Sequence, residues 1–397
     1  MRKSIRSDRP YRLFVLLAMI LCFAYAGKTQ INFTSSGLQG ESLNNPTSLQ
    51  FGPDDRLYVS QQNGNILAYT IARNGPNDYQ VTATETIGLV KAIPNHNSDG
   101  TPSNNSNRQV TGILVTGTAA NPILYVTSSD PRIGGGGGST NTNLDENSGV
   151  ISRLDWNGSA WSKVDLVRGL PRSEENHSVN GMQIDPVTNI MYLAAGGHTN
   201  KGATSNNFTF LPEFAYSAAV LSIDLDAINL MPSQTDPEGQ VYKYNLPTLD
   251  DEDKPNVTSP TFGYEDVGDP WGGNGGKNQA MLEQGGPVQV YASGFRNHYD
   301  MLLTTTGRLY TFDNGPNTGW GGTPINNCSN DVNEANSNTE CDNLHFISGP
   351  GYYGGHPNPT RANRTNTFNT TNPQTPIPVG MEDANCAYLE PLTQDGA

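Results

Sequence analysis

The stretch "EENHSVNGMQIDPVTNIMYLAAGGHTN", Glu174 to Asn200, sets a histidine just before an alternating apolar run, in a chain with six histidines. An imidazole titrates near neutrality, so His177 at the mouth of a β-hairpin is suited to serve as a general base on a sheet-built pocket. A hydrogen-bonded polar loop residue near a strand start is the competing reading. Other chemistries lack their residues. No HExxH, paired CxxC, GxSxG or Walker-type loop occurs, so zinc protease, serine hydrolase and nucleotide chemistries have no support. The run Gly134–Gly138 has neither the lysine nor the strand-to-helix context of a phosphate cradle, and reads as a flexible loop. His198 and His298 read as polar loop groups.

What positions such a residue is a recurring hairpin. A turn residue leads into an alternating strand, then a Pro/Asp/Gly turn, then a second strand rich in Leu, Tyr and Val. Copies span Asn45–Ile71, Thr111–Asp130, Asn180–Gly197 and His298–Gly315. Alternation with period two gives each strand one buried face. Further strands such as "GVISRLDW" and "AAVLSIDLD" lie between the copies. Self-similar four-stranded units predict an all-β fold, a β-propeller, and a β-sandwich array is the alternative. Polar tracts at Ile93–Arg108, Gly134–Ser148 and Leu249–Gly276 interrupt the period and read as loops on one face.

Composition agrees with many short strands: of 397 residues, 43 are Gly and 27 are Pro, and only 15% are charged. A formal net charge of −15 leaves no basic stripe to meet phosphate, which argues against nucleic acid as a partner. Arg2, Lys3, Arg6, Arg9 and Arg12 precede the apolar run Leu13–Ala26, which ends in small residues before Gly27. Residues 1–26 therefore read as a secretory signal and 27–397 as the propeller domain, exported to the periplasm, cell surface or medium. An uncleaved anchor is the alternative, and no later run is apolar enough to span a bilayer. Cys328 and Cys341 can pair in an oxidising compartment, which leaves Cys386 odd and suggests a longer protein. The triplets at Asn32 and Asn207 match the glycosylation pattern but read more simply as Asn-rich loops.

Three segments occur in order: "GLPRSEENHSVNGMQIDP", "YASGFRNHYDMLLTTTGRLYTFDNGPN" and "CDNLHFISGPGYYGGHPNP". They resemble the soluble PQQ-dependent sugar dehydrogenases, the glucose/sorbosone dehydrogenase family, from about Asn45 to Pro359. "RQVTGILV" followed by "NPILYVTSSDP" resembles that family's second blade more loosely. The resemblance implies a six-bladed propeller, incomplete at its C-terminus within these residues. It implies PQQ and Ca²⁺ as cofactors, a sugar substrate and an external electron acceptor. His177 takes the place of the base that removes the anomeric hydroxyl proton while hydride moves to the quinone. Arg296 and Asn297 match the pair that contacts the quinone's reacting carbonyl. Gly315 and Pro316 match backbone carbonyls that ligate Ca²⁺, and hard carbonyl oxygens suit that ion. Asp342 and Tyr353 match positions near structural calcium sites, and Gln109 matches a glutamine near the substrate.

The chain also departs from the family. Asn176 precedes His177 where an acidic residue is frequent, so carboxylate support for the ring is expected to be missing. "GGHTN" stands where a Gly-Asp turn is usual, so an acidic role there is expected to be lost. Asn343 replaces an acidic residue. After Tyr353 only Arg361 and Arg364 are cationic, few partners for a tricarboxylate. Two readings follow: an exported quinoprotein oxidising an aldose or related sugar, or a non-catalytic propeller that binds carbohydrate or mediates adhesion.

Overall fold

The computed structural model describes residues 33–136, 140–211, 213–248, 270–273, 278–280, 282–283, 285–322 and 342–356. Residues 1–26, read from the sequence as a signal, all four cysteines, Asn32, Arg361, Arg364 and most of the 249–276 tract lie outside them. Two compact units divide the chain, Ala72–Val81 with the residues before Ser42, and Ser42–Ile71 with everything from Thr82 on. In the smaller unit β1 (Leu38–Gln39) runs parallel to residues 79–80, Leu38 opposite Tyr79.

The larger unit opens with β2 (Pro46–Phe51), β3 (Leu57–Gln61), β4 (Ile66–Gly75) and β5 (Asp78–Ile87), a meander in chain order whose last two strands also run through the smaller unit. β6 (Gln109–Gly117), β7 (Pro122–Ser129), β8 (Gly149–Trp156) and β9 (Trp161–Leu170) form a second meander. A third begins with β10 (Val179–Ile184), β11 (Ile190–Ala195) and β12 (Ala219–Asp224). The short helix α1 (Leu225–Leu230) follows, capped by the Asp224 carboxylate, which accepts from Ala227 N–H at 2.9 Å. The chain then leaves the third sheet. β13 (Gln234–Thr235) and β14 (Val241–Asn245) add to the second sheet, β14 parallel to β9, before β15 (Val288–Ser293) closes the third. β16 (His298–Leu303), β17 (Leu309–Asp313) and β18 (Asn343–Ile347) make the fourth sheet.

The four recurring hairpins are β2–β3, β6–β7, β10–β11 and β16–β17, and the first strand of each is its sheet's innermost. β2 lies beside β6, β6 beside β10, and β10 beside β16. Each of these four strands carries a register shift near its start, at Pro46/Ser48, Val110/Gly112, Val179/Met182 and His298/Met301. A bulge twists a strand and re-aims its side chains, and here it sends them to the neighbouring blade. Thr111 Oγ1 donates to Val179 O at 2.5 Å, Asn180 Nδ2 to His298 O at 3.0 Å, and Tyr299 OH to Thr47 O at 3.0 Å. The last of these carries the fourth sheet to the first. Gly181, beside Asn180, has no room for a side chain, because an added Cβ would meet Asp300 of β16.

The cores lie between sheets, as propeller packing requires. Ile66, Val110, Leu124 and Val126 fill the space between the first and second. Ile151, Val167, Met182 and Leu221 fill that between the second and third, and Val220, Phe295, Met301 and Leu309 that between the third and fourth. Each such buried side chain is worth roughly 1.5–3 kcal/mol. The fold is all-β and propeller-like with four blades among the described residues. Leu302, Phe312 and Leu344 leave an apolar face exposed on the fourth sheet, as Leu49 and Phe51 do on the first.

Several local expectations are corrected. His198 and His298 are fully buried: the first packs edge-on against Phe214 at 4.3 Å, and the second begins β16 against Phe295. Asn207 is buried too, as the simpler reading of its triplet allowed. Part of the glycine run is pinned, since Gly134 N–H donates to Glu174 O at 2.7 Å and Gly135 N–H to Thr140 O at 2.7 Å.

Candidate active site

His177 stands in the turn that leads into β10. Its own N–H donates to Ser173 Oγ at 3.0 Å, and its carbonyl accepts from Ser173 N–H at 2.9 Å, which closes the "SEENH" turn. Ring Nδ1 lies 2.7 Å from Gly197 O. A carbonyl can only accept, so the neutral ring carries its proton on Nδ1 and keeps the basic lone pair on Nε2. Burial pushes the ring well below the ordinary histidine value, and the nearby Arg296 charge adds to the effect. The ring is therefore a neutral acceptor at neutral pH.

The glycine that fixes this tautomer also fixes the arginine. Gly197 N–H donates to Arg296 O at 2.7 Å, so one residue, through the two peptide groups that flank it, joins the mouth of β10 to the β15–β16 turn. An added Cβ at Gly197 would crowd Glu213, the Arg296 carbonyl and Ala218. Asp313 secures the other side, its two carboxylate oxygens each accepting at 2.9 Å from the backbone N–H of Arg296 and of Asn297. Asn297 Oδ1 accepts from Asn180 Nδ2 at 3.0 Å. The structure thus brings His177, Arg296 and Asn297 together although 117 residues separate Asn180 from Asn297.

Gly315 and Pro316 join the same neighbourhood through Asn200. Its Oδ1 accepts from Arg296 Nε at 3.2 Å and from Asn317 N–H at 2.8 Å, and its Nδ2 donates to Asn317 O at 2.9 Å. Asp342 reaches the same turn, where its Oδ1 accepts from Gly315 N–H at 2.9 Å. Tyr353 belongs to another turn: it packs on Gly294 and donates from its hydroxyl to His356 O at 2.8 Å. Gln109, on β6, is held at the far side by Arg172, whose Nη2 donates to Gln109 Oε1 at 3.3 Å and to Arg132 O at 2.6 Å. Arg172 precedes Ser173, so Gln109 is linked to the His177 turn through its neighbours.

Two carboxylates were not legible as site residues, and both correct an expected loss. Glu175, two residues before His177, brings Oε2 to 3.5 Å from His177 Nε2. That oxygen is buried and accepts no hydrogen bond among the described residues. Burial pushes the Glu175 carboxyl up, while Arg296 and Arg172 pull it down. The carboxylate support missing at Asn176 is supplied one residue earlier. Glu213 replaces the acid missing from the "GGHTN" turn. It accepts from His198 N–H at 2.9 Å, Thr199 N–H at 3.1 Å, Ser217 Oγ at 2.5 Å and His356 Nε2 at 3.0 Å. Burial alone would raise its pKa, but the hydrogen bond and charge of His356 hold it far below the usual carboxylate range. Glu213 braces the turn that carries Gly197.

Phe208 completes the cluster. Its buried ring lies 5.4 Å from the His177 ring and 5.9 Å beneath the Arg296 guanidinium, with Trp320 edge-on at 6.0 Å. His177 and Arg296 are only 3% and 2% exposed. The Phe208 ring thus packs against both the base and the guanidinium. Among the described residues no group of three or more His, Cys, Asp or Glu side chains is arranged to hold a metal. The calcium expectation therefore rests on the carbonyls of Gly315 and Pro316.

No family model and no curated protein matches the sequence. Solved structures of PQQ-dependent sugar dehydrogenases are among those to which the chain is similar. One is the PQQ-bound aldose sugar dehydrogenase of Streptomyces coelicolor, 16% identical, with 81% of this chain aligned to 64% of that one at a TM-score of 0.39. Another is the holo PQQ domain of a pyranose dehydrogenase from Coprinopsis cinerea, 13% identical, 79% of this chain on 54% of that one, TM-score 0.41. A third is a carbohydrate-active enzyme of family AA12 from Trichoderma reesei, 12% identical, 82% on 60%, TM-score 0.38. The chain spans 54–64% of the length of these three. What this chain does is therefore read from its own residues.

Proposed function

We propose that the protein is an exported oxidoreductase that oxidises an aldose or related sugar with PQQ as hydride acceptor and Ca²⁺ as its Lewis acid, passing electrons to an external acceptor. One observation carries the reading: Gly197 accepts from His177 Nδ1 through its carbonyl and donates to the Arg296 carbonyl through its N–H, each at 2.7 Å, which ties the base to the backbone of the arginine. The donor set fits the reacting end of a quinone. An imidazole lone pair, a buried guanidinium and an amide converge there, and the buried Glu175 Oε2 is an acceptor still without a hydrogen. Arg296 and Asn297 would hold the quinone's reacting carbonyl. The carbonyls of Gly315 and Pro316 would hold Ca²⁺ with Asp342 nearby, and Gln109 would lie towards the sugar.

The chain's own part is proton transfer. His177 Nε2 takes the proton of the sugar hydroxyl as its C–H hydride leaves, and the imidazolium so formed meets Glu175 Oε2 at 3.5 Å. Gly197 O keeps the ring's other proton on Nδ1, so no tautomer change is needed. Arg296, held in place through its backbone and Nε, stabilises negative charge without reorganising. PQQ, when bound, supplies the electron sink.

The other reading is a non-catalytic propeller that binds carbohydrate or mediates adhesion. It is favoured by Phe208, whose buried ring packs against both His177 and Arg296. Reconstitution of the full-length protein with PQQ and Ca²⁺, followed by dye reduction across a panel of aldoses, separates the two. Sugar-dependent reduction supports the enzyme, and its absence with every sugar leaves the binding module.

A further inference from the structure

A second cavity, of about 320 Å³, opens where β14 lies along β9. It exists because the third blade's connection crosses to the second sheet and adds a hairpin there. Four flat groups are stacked along its wall. The Arg168 guanidinium sits 3.7 Å above the Tyr242 ring and 5.1 Å from Trp271, and His96 stacks on Trp271 at 5.0 Å with 12° between the planes. Arg168 is 1% exposed and its charge is met by Asp236, with Nη1 to Oδ2 at 2.6 Å. Burial lowers the His96 pKa, more than its neighbour Glu238, at 3.1 Å from Nε2, raises it.

Elimination narrows the ligand. The lining holds two carboxylates, one guanidinium and a neutral imidazole, so an anion is disfavoured. A cation would seek an aromatic face, but a guanidinium and an imidazole already lie against the rings. What remains unused is hydrogen-bonding capacity. Arg168 spends Nε on Asn245 Oδ1 at 2.9 Å and Nη1 on Asp236, so its Nη2 and the Asn245 Nδ2 have no acceptor among the described residues. Glu238 offers its second oxygen as an acceptor, and Pro270 and Trp271 supply apolar surface. Two donors, a carboxylate and the apolar surface beside the covered ring faces suit a neutral sugar's hydroxyls and C–H groups. The volume lies at the small end of ligand pockets, which run from roughly 300 to 1,000 Å³.

We propose that this cavity is a carbohydrate-binding subsite, separate from the His177 cluster, that takes one or two units of a neutral glycan. It holds sugar whether or not the other site performs redox chemistry. The test is binding of the full-length protein to an array of neutral, acidic and basic mono- to trisaccharides, with calorimetry on the best neutral glycan. Wild type should bind neutral glycans. Asn245→Ala and Glu238→Gln, two substitutions near the surface, should each weaken binding at least tenfold while circular dichroism stays unchanged. His177→Ala should bind as wild type. The proposal is overturned by failure to bind any neutral glycan, by preference for acidic or basic ones, by normal binding in both cavity variants, or by loss of binding in His177→Ala, which would assign the glycan to the other site.

Discussion

The His177 cluster and the Arg168 cavity differ in how their polar groups are satisfied. Around His177 and Arg296 backbone does most of the work: Gly197, Ser173 and the two N–H groups on Asp313 fix each residue before any ligand arrives. Glu175 Oε2, which accepts no hydrogen bond among the described residues, lies 3.5 Å from the ring that would gain a proton. Around Arg168 the fixing is done by stacked rings and one ion pair, and the donors left over face a cavity. The first arrangement is preorganised for a change of charge, as catalysis demands. The second is preorganised for shape and hydroxyl groups, as recognition demands.

That contrast can be broken by substitution. The largest effect is expected in the first region: if the protein reconstituted with PQQ and Ca²⁺ turns over as proposed, His177→Ala should lower turnover by roughly two to four orders of magnitude, the usual contribution of a positioned base. Steady-state dye reduction reads it, and a loss under tenfold would remove His177 from the chemistry. Next comes Phe208→Ala. A fully buried phenylalanine cut to alanine costs about 3–5 kcal/mol, so the urea midpoint should fall clearly. A near-neutral result would mean that the ring is a movable plug and not core.

A smaller effect concerns acid. His177 is depressed when folded, so between its folded value and about 6.5 the unfolded chain binds the extra proton. Stability contributed by the neutral ring is complete above pH 6.5 and is lost as pH falls below it. Thermal melts from pH 7.5 to 5.5 should show this slope, and His177→Gln should flatten it. An equal slope in both proteins would place the titration elsewhere. Calcium bears on the neighbouring turn. Ca²⁺ at a hundredfold excess over its Kd should add about 2.7 kcal/mol, and Asp342→Ala should reduce that gain by loosening the Gly315 turn. Equal melting temperatures with calcium and with chelator would remove the ion from this turn.

How much of this was legible in sequence depends on range. β8 occupies Gly149–Trp156, the segment read as a strand, because alternation is local. The four hairpins were legible for the same reason, and so was the convergence of His177 with Arg296, since equivalent positions of repeated blades share a face. Glu213 was not, because only the closing of the turn after β11 brings it under Gly197. The β13–β14 hairpin was not either: nothing local says that a connection within the third blade will pair with the second. The stack of Tyr242, Arg168, Trp271 and His96 depends on that pairing. Glu175 was in plain view, but the family resemblance pointed to the residue directly before His177, and the turn aims the earlier one at the ring.

The central claim is that His177 and Arg296 face one quinone-sized site in different roles, and PQQ titration with Ca²⁺ in excess, followed by calorimetry on wild type, His177→Ala and Arg296→Ala, tests it most directly. Wild type should bind one equivalent, His177→Ala should bind it with similar affinity while losing turnover, and Arg296→Ala should lose binding by tenfold or more. Wild-type protein that takes up no quinone, or uptake that survives in Arg296→Ala and fails in His177→Ala, would contradict it.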